Sequence, residues 1–185
     1  LEPAELRRHF AIVLQDPFIF SGTVASNIRL GSDWITDAGL AKALQQVNLN
    51  SFVASLPEGL QHQVHERGAT LSLGQKQLLS FARALAQRPR ILLMDEPTSH
   101  LDPGNKSRVL GIMRRLAEKG ITILFTTHEP EVATRLASHL VFLKRGRLLR
   151  AAELSQALRP ETFRAAYGLP AKIVEIEGRK IVLLD

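Results

Sequence analysis

At 185 residues the chain has the length of one domain, enough to bury a sizeable core. Its 45% apolar and 23% charged residues are ordinary for a globular protein, and the lack of cysteine excludes disulfides and thiolate metal sites, a usage compatible with the reducing cytosol. No stretch approaches the roughly 18 apolar residues of a membrane span, and no signal peptide opens the chain. The net charge of +6 admits a nucleic acid or an anionic membrane. The basic residues are scattered, however, with short clusters only at Arg7-Arg8, Arg114-Arg115 and Lys144-Arg145-Gly146-Arg147, the pattern of a solvated basic surface.

In chain order, the first apolar run, Phe10–Leu14, reads as a buried parallel strand and ends in Gln15-Asp16. A long, mostly helical insert follows, with helical periodicity over 36–49 and again over 75–87 through Leu78, Leu79, Ala82, Leu85 and Ala86. Pro89 closes the second helix. Ile91–Met94 reads as a second buried strand, ending in Asp95-Glu96. Residues 105–119 place Val109, Ile112, Met113 and Leu116 on one helix face, with Gly120 as the stop. Ile121–Phe125 is a third strand, ending in Thr126-Thr127-His128. Leu140–Leu143 is a fourth, with a turn at Arg145-Gly146, and the tail KIVEIEGRKIVLLD reads as a hairpin turning at Glu177-Gly178. The β-α-β-α order predicts an α/β layered domain with a helical insertion.

Ligands of open α/β sheets sit outside the carboxyl ends of the strands, so three strands ending in amide, acids and imidazole point to one shared site. Asp95 and Glu96 leave the sheet as a carboxylate pair. In nucleotide hydrolases such an Asp holds Mg²⁺ and a neighbouring acid orients or deprotonates the attacking water; the plainer alternative is an apolar run that ends in acids at solvent. Ser72 and Gln75 stand at capping-box spacing ahead of the helix over 75–87. A capped helix start is also an anion site, so cap and phosphate contact both stay open there.

Four segments in series, VLQDPFIFSGTVASNI, LSLGQKQLLSFARAL, ILLMDEPTSHLD and ILFTTH, resemble the nucleotide-binding domain of ABC transporters over about residues 6 to 150. The resemblance implies a P-loop, RecA-like ATPase core with a parallel sheet, a helical subdomain and a C-terminal hairpin. Residues 1–22 and 89–150 would be a partial core, 23–88 the signature-bearing helical subdomain, and 151–185 an extension. It also implies ATP and Mg²⁺ as ligands, with Gln15 and Asp95 at the metal, Glu96 as the base for water and His128 at the γ-phosphate. Ser72, Leu73, Gly74 and Gln75 fall in the family signature, with Leu73 in place of the first of its two usual glycines. They would contact ATP held by an opposite subunit, and Asp102 lies in a loop crossing that dimer interface. QVHERG, residues 63–68, is similar to a segment that touches transmembrane domains in exporters. The implied partners are a second ATPase domain, head to tail, and transmembrane domains, with the cytoplasmic face of the inner membrane as the location and no nucleic acid expected.

The resemblance is mixed and incomplete. PFIFSGTVASNI and LSLGQKQLLSFARAL look like exporters, whereas DEPTSHLD, TTHEPEVA and the tail look more like importers or stand-alone ATPases, with a join near 82–90. The phosphate cradle, Gly-x-x-x-x-Gly-Lys-Ser/Thr, is missing: none of the 12 glycines precedes a lysine. The N-terminal strands of the core are missing with it, so the chain by itself is expected to be inactive. Either it is a portion of a longer domain, which Leu1 in place of Met favours, or a truncated product that depends on another polypeptide. Two other readings stand beside the transporter ATPase: a non-catalytic module that donates its signature to a partner, and an ABC ATPase acting on nucleic acid or ribosomes.

Overall fold

The computed structural model describes residues 2–176 and 178–184, so Leu1, Glu177 of the tail turn and Asp185 lie outside the described residues. The chain divides into two compact units, one up to Thr126 and one from Thr127 onward.

The first unit opens with a short helix α1 (Pro3–Arg7) and strand β1 (Phe10–Val13). The insert follows: β2 (Gly22–Thr23), α2 (Val24–Arg29), α3 (Asp37–Gln46), α4 (Asn50–Ser55), β3 (Gln63–Val64) and α5 (Leu73–Ala86). The chain then returns through β4 (Ile91–Met94), α6 (Pro103–Glu118) and β5 (Thr122–Phe125). The helix expected over 36–49 is α3, which stops at Gln46; Asn48, in the left-handed conformation (φ 56°), turns the chain before α4, a further helix that the sequence pattern did not mark. The two-residue strands β2 and β3, which pair antiparallel, are too short to leave a sequence pattern.

The sheet is parallel in the order β1-β4-β5, with Val13, Met94 and Phe125 in register at its carboxyl edge. The α6 crossover between β4 and β5 is what parallel neighbours require. One face is sealed: Ala11, Val13, Leu92 and Met94 are buried. The other is not, and here the expectation of strands buried on both sides fails. Ile12 is 62% and Leu124 60% exposed, and they stand in line across the sheet with half-buried Leu93 between them. Parallel sheets are normally covered on both faces. Covering this one would stabilise the fold by roughly 1–2 kcal/mol for each large side chain removed from water.

Arg83 of α5 anchors the insert. Its guanidinium donates to the carbonyls of Asn27 (2.8 Å) and Phe18 (2.8 Å) and to Asn27 Oδ1 (3.1 Å), and it lies over the Phe20 ring. Burial lowers its pKa, yet a guanidinium stays protonated, so the charge is held by carbonyl dipoles and a ring face. A lysine cannot reproduce this planar fork. Arg83→Lys is therefore expected to cost about 2 kcal/mol, read in thermal denaturation as a fall of roughly 4–8 °C.

The second unit begins with α7 (Pro130–Leu136) and a hairpin of β6 (His139–Lys144) and β7 (Arg147–Glu153). That hairpin turns at Arg145-Gly146, both at positive φ, as the turn reading of those residues anticipated. Helices α8 (Leu154–Ala157) and α9 (Pro160–Tyr167) lead to a second hairpin, β8 (Ala171–Ile176) and β9 (Arg179–Leu184). Phe142, Ala157, Leu158, Phe163 and Val182 form its core, with Phe142 and Phe163 edge to face at 5.3 Å.

Candidate functional site

The parallel register brings the strand ends of the first unit together. The Asp95 amide donates to the Val13 carbonyl and the Thr126 amide to the Met94 carbonyl, both at 2.9 Å, so the segments leaving β1, β4 and β5 emerge side by side. Thr126 Oγ1 donates to Asp95 Oδ1 at 2.6 Å and accepts from the Glu96 amide at 2.9 Å. One hydroxyl thus fixes both members of the carboxylate pair. Glu96 sits at φ 41°, a left-handed conformation that costs a non-glycine residue about 1–2 kcal/mol, and it redirects the chain out of the strand. Across the sheet end, Gln15 Nε2 donates to Ser99 Oγ at 3.4 Å, leaving the Gln15 amide oxygen as an acceptor.

The Asp95 carboxylate and the Gln15 amide oxygen are hard oxygen donors of the kind Mg²⁺ takes when phosphates and water complete its shell. Among the described residues, no group of three or more His, Cys, Asp or Glu side chains is placed to bind a metal.

The second group lies at the start of α5. The capping box expected from sequence is present. Ser72 Oγ accepts from the Gln75 amide at 3.2 Å, and Gln75 Oε1 accepts from the Ser72 amide at 2.8 Å. The box uses the Gln75 carbonyl oxygen, whereas the amides of Leu73 and Gly74 belong to the first turn, whose N–H groups have no partner within the helix. Leu73 points its side chain outward and Gly74 is buried. Further along α5, the buried Gln77 donates to the Pro97 carbonyl at 3.2 Å, tying this helix to the segment just after Glu96.

Asp102 caps α6, accepting from the Gly104 and Asn105 amides at 2.9 and 3.0 Å, with Pro103 as first helical residue. Hydrogen bonds from the Asn105 amide first, then from its side chain and from Gly104, hold the Asp102 carboxyl below its ordinary pKa. A folded-state pKa below the unfolded one makes the cap fully stabilising above the unfolded value. The contribution is lost as pH falls through the folded value. His128 falls in the second unit, exposed at the start of the segment leading to α7.

Sequence reasoning read Thr126 only as a polar strand ending and passed over Gln77 and Asn105. Thr126 carried no local signal, because it meets Asp95 only through the register that pairs Met94 with Phe125. Gln77 and Asn105 carried none, since their roles depend on which backbone they meet.

A family model described as "AAA domain, putative AbiEii toxin, Type IV TA system" matches residues 25–134. Among curated proteins, the chain is 39% identical over 78% of its length to "Probable multidrug resistance ABC transporter ATP-binding/permease protein YheH" of Bacillus subtilis, covering 21% of that protein. It is also 39% identical over 85% of its length to "Uncharacterized ABC transporter ATP-binding protein YknV" of the same organism, covering 26%. Among solved structures, "Structure of a bacterial Atm1-family ABC exporter with ATP bound" superposes with a TM-score of 0.77 at 33% identity, over 88% of this chain and 28% of that one. The chain carries an AAA-type ATPase domain and belongs to the nucleotide-binding domains of ABC transporters. It spans about a fifth to a quarter of the length of these curated relatives. No helix among the described residues is long and apolar enough to cross a membrane.

Proposed function

We propose that these residues form the signature-bearing part of a transporter ATPase that works as a head-to-tail dimer on MgATP. Its own phosphate cradle would be supplied by residues outside the 185, in the same polypeptide or another. The observation that carries this reading is the combination of an ordered carboxylate pair at the sheet's carboxyl edge with an uncovered apolar face on the same sheet. A strand–loop–helix unit bearing the cradle would cover such a face and bring phosphates to Asp95.

In that assembly Asp95 and Gln15 would hold Mg²⁺, which would supply positive charge against the phosphates. Glu96 would take a proton from the attacking water as its oxygen bonds to the γ-phosphorus; the bond from that phosphorus to the bridging oxygen breaks, the bridging oxygen leaves with ADP, and phosphate is released. His128 would align the water at the γ-phosphate. Ser72 and the first-turn amides of α5, including Leu73 and Gly74, serve the γ-phosphate of the ATP in the opposite subunit, as a helix start does for an anion. Gln75 holds that turn in shape and Asp102 holds the loop at the dimer interface. Transmembrane domains are the second partner, which places the protein on the cytoplasmic face of a membrane. Phe18 and Phe20, 51% and 47% exposed and edge to face at 4.7 Å close to Gln15 in sequence, support such a contact. The exporter-type relatives favour outward transport.

The test uses a cradle-bearing cassette domain whose own signature serine is replaced by alanine, so that its homodimer is inactive. Adding this chain is expected to restore MgATP hydrolysis, and Ser72→Ala in this chain to remove at least about nine-tenths of the restored rate, the scale of losing one oriented donor to a developing charge. Failure of the unaltered chain to stimulate would refute the reading.

A further inference from the structure

Gly74 is buried, yet it shows no positive φ, so backbone freedom does not explain a glycine there. The explanation lies in α6. A Cβ built on Gly74 would fall 2.6 Å from Asn105 Cγ, 2.6 Å from its Nδ2 and 2.8 Å from its Oδ1. Near-equal distances to all three atoms mean that the Asn105 amide lies flat against the Gly74 α-carbon. That amide is not free to swing away. Its Nδ2 donates to Asp102 Oδ2, while the other carboxylate oxygen of Asp102 caps the Gly104 and Asn105 amides. The start of α5 is thus pressed against a side chain tied by a hydrogen bond to the Asp102 cap of α6. Gln77, bonded to the Pro97 carbonyl, fixes the same helix on its other side of the loop in sequence.

We propose that Asn105 is a positioning residue, a spacer clamped by Asp102 that sets where Ser72 and Gly74 stand relative to the loop ending at Asp102. The signature turn and the loop at the dimer interface then move as one piece. The inference rests on the reading that Ser72 and Gly74 serve a nucleotide held by another cassette. It goes beyond that reading by assigning the spacing to a residue outside both motifs, and by making the Gly74 requirement a matter of contact with Asn105.

Two measurements on the full chain decide it. In thermal denaturation, Gly74→Ala is expected to lower the midpoint by roughly 5 °C, because the new methyl meets an amide that cannot retreat. Asn105→Ala by itself should shift it by less than about 2 °C, and the double variant should regain most of the loss. In the hydrolysis assay with the cradle-bearing cassette, Asn105→Ala is expected to lower the maximal restored rate roughly tenfold, the scale of a small misplacement of a catalytic contact. A merely structural contact would not move that rate while leaving the melting midpoint in place. A full rate with Asn105→Ala would overturn the positioning role. A double variant as unstable as Gly74→Ala would overturn the geometry. Ser72→Ala without effect on the rate would instead overturn the functional reading, and the thermal cycle would still decide whether Asn105 holds Gly74.

Discussion

With the phosphate cradle joined to these residues, Glu96→Gln is expected to lower kcat for ATP hydrolysis by about 10²–10⁴-fold, the span of a positioned general base. The change is nearly isosteric, so the turn at φ 41° and the bond from the Glu96 amide to Thr126 should survive it. KM should accordingly move by less than about threefold, since a group needed only in the transition state leaves ground-state binding alone. Steady-state kinetics at saturating Mg²⁺ reads both. A rise in KM with a matching fall in kcat/KM and kcat intact would place Glu96 in binding and leave the carboxylate pair without a base.

Much of this site was legible before the fold was known. The three strands of the sheet could be read because each is a short apolar run that stops abruptly at polar residues, and their shared edge followed from the parallel arrangement. The capping box followed from spacing alone. What could not be read were relations between distant backbones. Thr126 and Glu96 are thirty positions apart and meet only through strand register. Asn105 matters because α6 passes close to Gly74, which no local pattern announces. The uncovered sheet face was equally hidden, since an apolar strand reads the same whether or not something is packed on its second side. Where the structure added to or departed from expectation, in the helix that starts after the turn at Asn48 and in the exposed Ile12 and Leu124, the reason was a single backbone conformation or a sheet face left open among the described residues.

The second large effect concerns nucleotide affinity. The described site offers Asp95, Gln15 and Glu96 at one end of a sheet, but the sequence holds no glycine followed by lysine to cradle phosphates. Two oxygen donors and a carboxylate base do little for a tetra-anionic ligand, and Glu96 repels it. The 185-residue chain is therefore expected to bind MgATP no tighter than about millimolar, or roughly −4 kcal/mol. Joining a cradle segment should bring binding to about micromolar, near −8 kcal/mol. The added free energy comes from backbone N–H groups and a lysine aimed at the phosphates, and from burial of Ile12 and Leu124 beneath the new element. Substituting lysine for both Ile12 and Leu124 would keep the sheet face wet and should block that gain.

Calorimetric titration of MgATP into the chain by itself puts this most directly. The account predicts no binding heat that saturates below about millimolar, with micromolar binding appearing once the cradle is supplied. Micromolar binding by the unaided chain would contradict it, and would mean that these residues hold a phosphate site of their own.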